Sequence, residues 1–138
     1  MDYNHGTGHG VGYLMNVHEG PQRFAWKING EIQNAVLEEG MVISDEPGVY
    51  LAGKFGIRHE NLVLVRKGEK TEYGQFMYLE PLTLVPFDVE AVEPSLMTDR
   101  ELELLNAYHK KVYETIAPFL SGEESAWLKE CTQPIEKR

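Results

Sequence analysis

The sequence predicts an α+β fold, with short strands in residues 1–88 and helices in residues 89–138. From Gly56 to Arg66, successive residues alternate in the manner of an extended strand with two distinct faces. From Leu102 to Ile116, apolar residues recur at helical spacing instead. A chain in which a run of strands precedes a run of helices is typical of the α+β class.

The first twenty residues combine three histidines, His5, His9 and His18, with five glycines. Imidazole binds metal ions and transfers protons near neutral pH, and glycine lets the backbone approach a ligand closely. His5 and His9 are four residues apart, but the Gly-Thr-Gly between them favours a shaped loop over a helix. Taken alone, the cluster is either a chemical site or a histidine- and glycine-rich turn without chemistry.

Strand signals follow this loop. Phe24–Ile28 alternates apolar and polar residues, and Asn29–Gly30 predicts a tight hairpin turn. Met41–Ser44 predicts a buried strand that delivers Glu46 just beyond its end. Pro47 and the glycine after it end this strand.

Gly56–Arg66 is predicted to be one continuous strand, so Arg58 and Glu60, two residues apart, share a face. The charged segment Lys67–Gly74 predicts a solvent loop. Tyr78–Pro86 predicts a further strand that Pro81 interrupts.

Two helices complete the chain. Thr98 and Glu101 form the capping-box pattern that opens the first helix, and Pro118 ends or bends it. His109 lies on this helix and is expected to be solvated. The capping pattern repeats at Ser121, which predicts a second, shorter helix.

Composition restricts the partners and the compartment. The net charge of −9 disfavours nucleic acid, because phosphate binding needs a basic surface. Cys131 is the only cysteine, so no internal disulfide can form and a reducing cytoplasm is expected. No apolar run approaches the length of a membrane span, and we expect no membrane partner.

Three motifs in order resemble the metal-site motifs of the pita-bread metallopeptidases. They are HGTGHGVG (His5–Gly12), SDEPGVY (Ser44–Tyr50) and GIRHENLVLV (Gly56–Val65). The resemblance continues through LEPLTLVPF (Leu79–Phe87) and WLKECTQPI (Trp127–Ile135), and it is closest to the Xaa-Pro aminopeptidase (aminopeptidase P) family. It implies the C-terminal half of a pita-bread fold: residues 1–88 carry the metal motifs, and residues 89–138 form a helical C-terminal extension.

By this resemblance His9, Glu46 and Glu60 are metal ligands, and Glu46 also handles the proton of the attacking water. One imidazole and two carboxylates suit Mn²⁺, Co²⁺ or Zn²⁺, and two such ions can activate water together. The resemblance also implies that His5 and His18 are catalytic residues lining the substrate pocket. The alternative for Glu46 and Glu60 is that one merely ends a strand and the other faces solvent. For the two histidines it is that they only hold the loop.

Tyr50 and Arg58 match positions that support the metal-binding carboxylates in related enzymes. A guanidinium two residues before Glu60 lies on the same strand face and can orient that carboxylate. An ordinary surface ion pair is the alternative for Arg58. His59 points away from Glu60 in a strand and is expected to serve packing or the surface.

The leading functional hypothesis is a dinuclear aminopeptidase that hydrolyses the bond before a proline at the second position of a peptide. It implies two divalent ions, with Mn²⁺ expected and Co²⁺ or Zn²⁺ as alternatives, and it allows a homodimer. The alternatives are a prolidase, a methionine aminopeptidase, or a non-catalytic interaction module of the same fold.

The resembled enzymes supply two further aspartate ligands before the histidine loop, and this sequence has no counterpart of them. We therefore expect the chain to be a C-terminal fragment of the catalytic domain. In isolation it is expected to bind at most one ion weakly, to lack peptidase activity, and to dimerise through an uncovered face.

Overall fold

The computed structural model describes residues 3–14, 16–26 and 35–137. These residues form two compact units, Met1–Thr83 and Leu84–Arg138. Described strands lie in the first unit and described α-helices in the second, so the predicted α+β class is confirmed. The predicted assignment of residues 1–88 and 89–138 to two parts of one catalytic domain stays a prediction.

The first unit is built from short antiparallel ladders. Its described strands are β1 (Gly8–His9), β2 (Arg23–Phe24), β3 (Val42–Asp45), β4 (Gly48–Leu51), β5 (Phe55–Arg58), β6 (Asn61–Thr71) and β7 (Gly74–Pro81). Strand β1 pairs with β2, β4 pairs with β5, and β6 lies between β3 and β7. A bridge between Gly10 and Ile43 brings the β1 segment alongside β3.

The core of this unit forms where β3 pairs with β6. Ile43 stands opposite Val63 in the antiparallel register, and both are buried together with Val65. Phe24 and Met41 pack against this cluster as partly buried side chains. The predicted buried strand at Met41–Ser44 is therefore confirmed, with observed bounds of Val42–Asp45.

Of the strand predicted at Phe24–Ile28, the described residues place Phe24 in a strand and Ala25 and Trp26 outside one, and the last two positions lie outside the described residues. Strand β2 covers Arg23–Phe24 and pairs with β1 through the contact of Phe24 with Gly8. The predicted turn at Asn29–Gly30 lies outside the described residues.

The prediction of one strand from Gly56 to Arg66 is wrong. Strand β5 ends at Arg58, β6 begins at Asn61, and Glu60 lies in the connection between them. The two strands also have different partners, since β5 pairs with β4 and β6 pairs with β3. The alternating pattern that the sequence predicts runs through the break, so it could not reveal the change of partner.

The solvent loop predicted at Lys67–Gly74 is also wrong. Strand β6 continues to Thr71, and β7 starts at Gly74, whose positive φ of 129° permits the tight connection. Residues 66–70 are charged or glycine and exposed, so this part of the ladder lacks the apolar face that identifies strands in a sequence. The strand predicted at Tyr78–Pro86 begins earlier than expected and ends at Pro81.

The second unit contains α1 (Asp99–Ile116) and α2 (Gly122–Cys131). Both predicted capping boxes are confirmed, with Thr98 and Glu101 opening α1 and Ser121 opening α2. A short 3₁₀ turn at Ala117–Phe119 contains the proline that ends α1. None of the helices among the described residues has the length and apolar character needed to cross a membrane.

His109 is buried, so the prediction that it is solvated is wrong. It lies on the same face of α1 as Val112, which is also fully buried. The backbone N–H of Phe87 donates to His109 Nε2 at 3.0 Å, so the ring proton resides on Nδ1. Nδ1 has no hydrogen-bond partner within the described part of the chain. Desolvation by burial lowers the pKa of His109.

We expect protonation of His109 to release Phe87, because imidazolium has no lone pair to accept the N–H. The folded pKa lies below the unfolded value of about 6.5, so the folded chain binds fewer protons in this window. Neutral His109 therefore makes its full contribution to the stability of the folded chain above about pH 6.5. This contribution is lost as the pH falls through the folded pKa. Amide exchange, corrected for its intrinsic pH dependence, should show decreasing protection of Phe87 over this range.

His109→Gln is the control, because an amide oxygen can accept the same N–H without titrating in this range. Phe87 protection that does not change with pH in the wild-type chain would contradict the prediction.

Candidate functional site

The backbone around His9 lies unusually close to its neighbours. A Cβ atom on Gly8 would stand 2.1 Å from the carbonyl oxygen of Ser44, and one on Gly10 would stand 2.0 Å from that of Glu19. Any larger residue at either position would therefore collide with backbone. Gly8 therefore allows the His9 segment to lie against β3, and Gly10 allows it to lie against the backbone of Glu19.

The His9 ring faces two hydrogen-bond acceptors. Nδ1 is 3.0 Å from the carbonyl oxygen of Gly10, and Nε2 is 3.0 Å from Glu46 Oε1. A carbonyl and an ionised carboxylate both only accept, so the ring nitrogen acts as an N–H donor in a hydrogen bond to either of them.

Glu46 follows β3 directly, as the sequence predicted, and its side chain is only 16% exposed. Its backbone N–H donates to the carbonyl of Thr7 at 2.7 Å, which ties the end of β3 to the loop before His9. The Ser44 hydroxyl donates to Glu46 Oε1 at 2.9 Å, and the N–H of His9 donates to the Ser44 hydroxyl at 2.9 Å. The carboxylate is thus held by groups from two separate segments.

Arg58 lies between two carboxylates. Its Nε is 3.0 Å from Glu60 Oε2 and 3.8 Å from Glu46 Oε2, and its Nη1 donates to the Tyr50 hydroxyl at 3.5 Å. Tyr50, Glu60 and Glu46 together raise the pKa of Arg58 above its ordinary value. The Arg58 side chain is about half exposed, so these contacts contribute little to the stability of the fold.

The other two histidines contact the same group of residues. The His18 ring is exposed, and its centroid lies 4.2 Å from that of His9. His5 Nδ1 is 2.6 Å from the carbonyl oxygen of Gly6, and its Nε2 is 3.1 Å from that of Gly48. Because both ring nitrogens of His5 face backbone carbonyls, the described contacts link the histidine loop to β4. His5 could contact a substrate through a ring nitrogen only if one of these two contacts broke.

The structure therefore gathers the sequence-predicted residues in the first unit. The set comprises His5, His9, His18, Glu46, Tyr50, Arg58 and Glu60. Their predicted roles as ligands, catalytic groups and supporting groups stay predictions. Within residues 3–14, 16–26 and 35–137, no set of three His, Cys, Asp or Glu side chains is arranged as a ready metal site. Glu60 is instead directed at Arg58.

Ser44 is the site residue that the sequence analysis missed. It is fully buried, and its hydroxyl connects the His9 backbone to the Glu46 side chain. The period-two rule could have found it, because Ser44 precedes Glu46 by two residues and so shares its side of an extended chain.

Two sequence models of one peptidase family match this chain. The model described as metallopeptidase family M24 matches residues 1–67, and the model of its C-terminal region matches residues 75–135. The chain belongs to metallopeptidase family M24. The resemblance inferred from the histidine, Glu46 and Glu60 motifs is thereby confirmed.

Relatives of this M24 chain are named as Xaa-Pro aminopeptidases. It is 41% identical over 140 residues to the probable Xaa-Pro aminopeptidase P of Coprinopsis cinerea, covering 98% of this chain and 22% of the relative. It is 43% identical over 141 residues to aminopeptidase P2 of Arabidopsis thaliana, covering 99% of this chain and 19% of the relative. The chain thus spans about a fifth of the length of the curated relatives it matches.

A solved structure supports the pita-bread assignment of this M24 chain. The X-prolyl aminopeptidase of Caenorhabditis elegans, described as a cytosolic enzyme with a di-nuclear active site, superposes with a TM-score of 0.81 at 36% identity. The match covers 95% of this chain and 22% of the nematode chain. The chain therefore has the fold of part of that enzyme.

We predict that Gly8→Ala disrupts the site by forcing β1 away from β3, since its Cβ would stand 2.1 Å from the Ser44 carbonyl oxygen. Overpacking of this kind costs about 1–3 kcal/mol. Urea unfolding of the first unit, followed by the amide resonances of Ile43 and Val63, should show that loss.

Gly6→Ala is the matched control in the same loop, because its Cβ would meet only the Phe24 carbonyl oxygen at an ordinary 3.6 Å. Equal stability of the Gly8 and Gly6 variants would show that the close approach of β1 to β3 is unimportant.

Proposed function

We propose that this chain forms the C-terminal part of the catalytic domain of a dinuclear Xaa-Pro aminopeptidase. The observation that carries the proposal is that Glu46 contacts His9 through one carboxylate oxygen and, through the other, the Arg58 guanidinium that also pairs with Glu60, in a member of metallopeptidase family M24. The proposed substrates are peptides with proline at the second position, as the names of the relatives suggest.

The donor chemistry of these residues fits divalent metal ions. His9 Nε2 and Glu46 Oε1 are 3.0 Å apart, so both atoms could serve as ligands of one ion. His9 Nδ1 is directed at the Gly10 carbonyl, an arrangement that leaves Nε2 as the metal-binding nitrogen. We propose that His9, Glu46 and Glu60 would hold two ions together with further ligands, with Mn²⁺ expected and Co²⁺ or Zn²⁺ as alternatives. Such ions would supply water activation and carbonyl polarisation.

The chain's own residues would then manage protons and orientation. Glu46 would accept a proton from the attacking water at its carboxylate. The exposed ring of His18, which lies tilted beside that of His9, can hydrogen-bond a substrate carbonyl or pass a proton to the leaving nitrogen. Arg58 would hold the carboxylates of Glu46 and Glu60 on its two sides, and its hydrogen bond to the Tyr50 hydroxyl would help to orient the guanidinium.

The remaining expectations stay proposals. A cytoplasmic location is proposed from the single cysteine and from the nematode relative, which is described as cytosolic. A homodimer is proposed because large apolar side chains such as Phe76 and Tyr78 are exposed along β7. No nucleic-acid or membrane partner is proposed.

A chimera provides the direct test. We expect the nematode enzyme to keep cleavage of Arg-Pro-Pro peptides in the presence of Mn²⁺ or Co²⁺ when this chain replaces the segment it matches. The measurements are peptide turnover and bound metal per chain. Cleavage of Met-Ala peptides at the same rate as Xaa-Pro peptides would favour a methionine aminopeptidase. A folded, metal-free and inactive chimera would favour the interaction-module alternative.

In the same chimera, Glu46→Gln should lower turnover by about 10²–10⁴-fold, because the amide keeps the size of the side chain but removes its charge and basicity. Glu39→Gln is the matched control, since Glu39 pairs with Lys67. Near-normal turnover of the Glu46 variant would show that Glu46 has only a structural role.

A polypeptide of these 138 residues tested alone should bind at most one Mn²⁺ ion, weakly, and should lack Xaa-Pro peptidase activity. The reason is that three predicted ligands are too few for two ions, and Glu60 is already paired with Arg58. Titration calorimetry and a cleavage assay measure both properties, with His9→Ala as the control for site-specific binding. Two tightly bound ions with turnover would refute this prediction.

A further inference from the structure

The buried hydroxyl of Ser44 lies at the junction of the two segments that carry His9 and Glu46. The His9 N–H is 2.9 Å from Ser44 Oγ, and Ser44 Oγ is 2.9 Å from Glu46 Oε1. The carbonyl oxygen of His9 is farther from the hydroxyl, at 3.5 Å. Ser44 itself is fully buried, so bulk water does not compete for these contacts.

The direction of each hydrogen bond follows from counting donors. A hydroxyl has one proton, and an amide N–H can only donate, so Ser44 Oγ must accept from His9. An ionised carboxylate can only accept, so the hydroxyl proton points to Glu46 Oε1. The resulting chain runs from the His9 N–H through the Ser44 hydroxyl to the Glu46 carboxylate, and the negative charge at its end strengthens both bonds.

We propose that Ser44 is a positioning residue that fixes the orientation of the Glu46 carboxylate. This inference rests on the proposed function for its catalytic meaning, and on the geometry alone for its structural content. The Ser44 hydroxyl directs Oε1 toward His9 Nε2, and this leaves Oε2 on the side of Arg58. Oε1 of Glu46 therefore contacts His9, and Oε2 remains available to a positive group on the side of Arg58.

Three substitutions separate the hydroxyl from the space it fills. Ser44→Ala removes both hydrogen bonds and leaves the His9 N–H without an acceptor. Ser44→Cys keeps a side chain of similar shape but bonds only weakly, because a thiol is a poor donor and acceptor. Ser44→Thr keeps the hydroxyl and is the variant expected to restore the wild-type behaviour.

The test uses this chain without metal and has two readouts by NMR spectroscopy. The first is hydrogen exchange of the His9 amide, whose protection should fall at least about tenfold in the Ala and Cys variants and recover in the Thr variant. The amides of Thr7, Gly10 and Glu46 have backbone acceptors and should keep their protection. The second is the set of scalar couplings of the Glu46 side chain. They should indicate a single rotamer in the wild-type chain and an average over several rotamers in the Ala and Cys variants.

Two results would overturn the proposal. One is a change of less than about twofold in His9 protection, with unchanged Glu46 couplings, in both the Ala and Cys variants. The other is parallel loss of protection at Thr7, Gly10 and Glu46 in the Cys variant, which would make Ser44 a packing residue.

Failure of the proposed function is distinguishable, because neither readout needs a metal ion or turnover. In an active chimera, Ser44→Ala should lower kcat by about 10–100-fold with little change in KM, and Ser44→Thr should restore it. An inactive chimera with the expected NMR changes would reject the aminopeptidase proposal but keep the positioning role of Ser44.

Discussion

The close apposition of the β1 segment and β3 is the constraint on which the rest of the site depends. Three contacts form there. The Gly8 backbone lies against the Ser44 carbonyl, the His9 N–H donates to the Ser44 hydroxyl, and the Glu46 N–H donates to the Thr7 carbonyl. The bulk of any side chain at position 8 would prevent all of these contacts. Because Gly8 has no side chain, the His9 imidazole and the Glu46 carboxylate, which are far apart in the chain, can come within 3.0 Å of each other.

Charge arrangement is the second constraint. Glu46 and Glu60 would repel one another, and the Arg58 guanidinium between them offsets that repulsion. The His9 ring lies on the other side of Glu46 and contacts its Oε1. These same two carboxylates are the ones that we propose as ligands of divalent ions. The site is therefore organised around negative charge that other groups must balance.

The second unit follows different rules, since local signals account for most of it. The capping boxes at Thr98 and Ser121 define where α1 and α2 begin, because each joins a side chain to a backbone N–H only three residues away. The burial of His109 is the exception. A histidine on an amphipathic helix is equally compatible with either face, and only the packing of Phe87 against α1 decides that its ring is enclosed.

The sequence alone determined the α+β class, the helix starts and the buried strand before Glu46, because these depend on residue type and short-range spacing. It also contained the motifs whose resemblance indicated a pita-bread metallopeptidase. Tertiary structure decided the strand break before Asn61, the long ladder formed by β6 and β7, and the role of Ser44. Each of these depends on which strand lies alongside another. Strand pairing joins residues far apart in the chain, such as His9 and Ser44, and no periodicity within a short window records that choice.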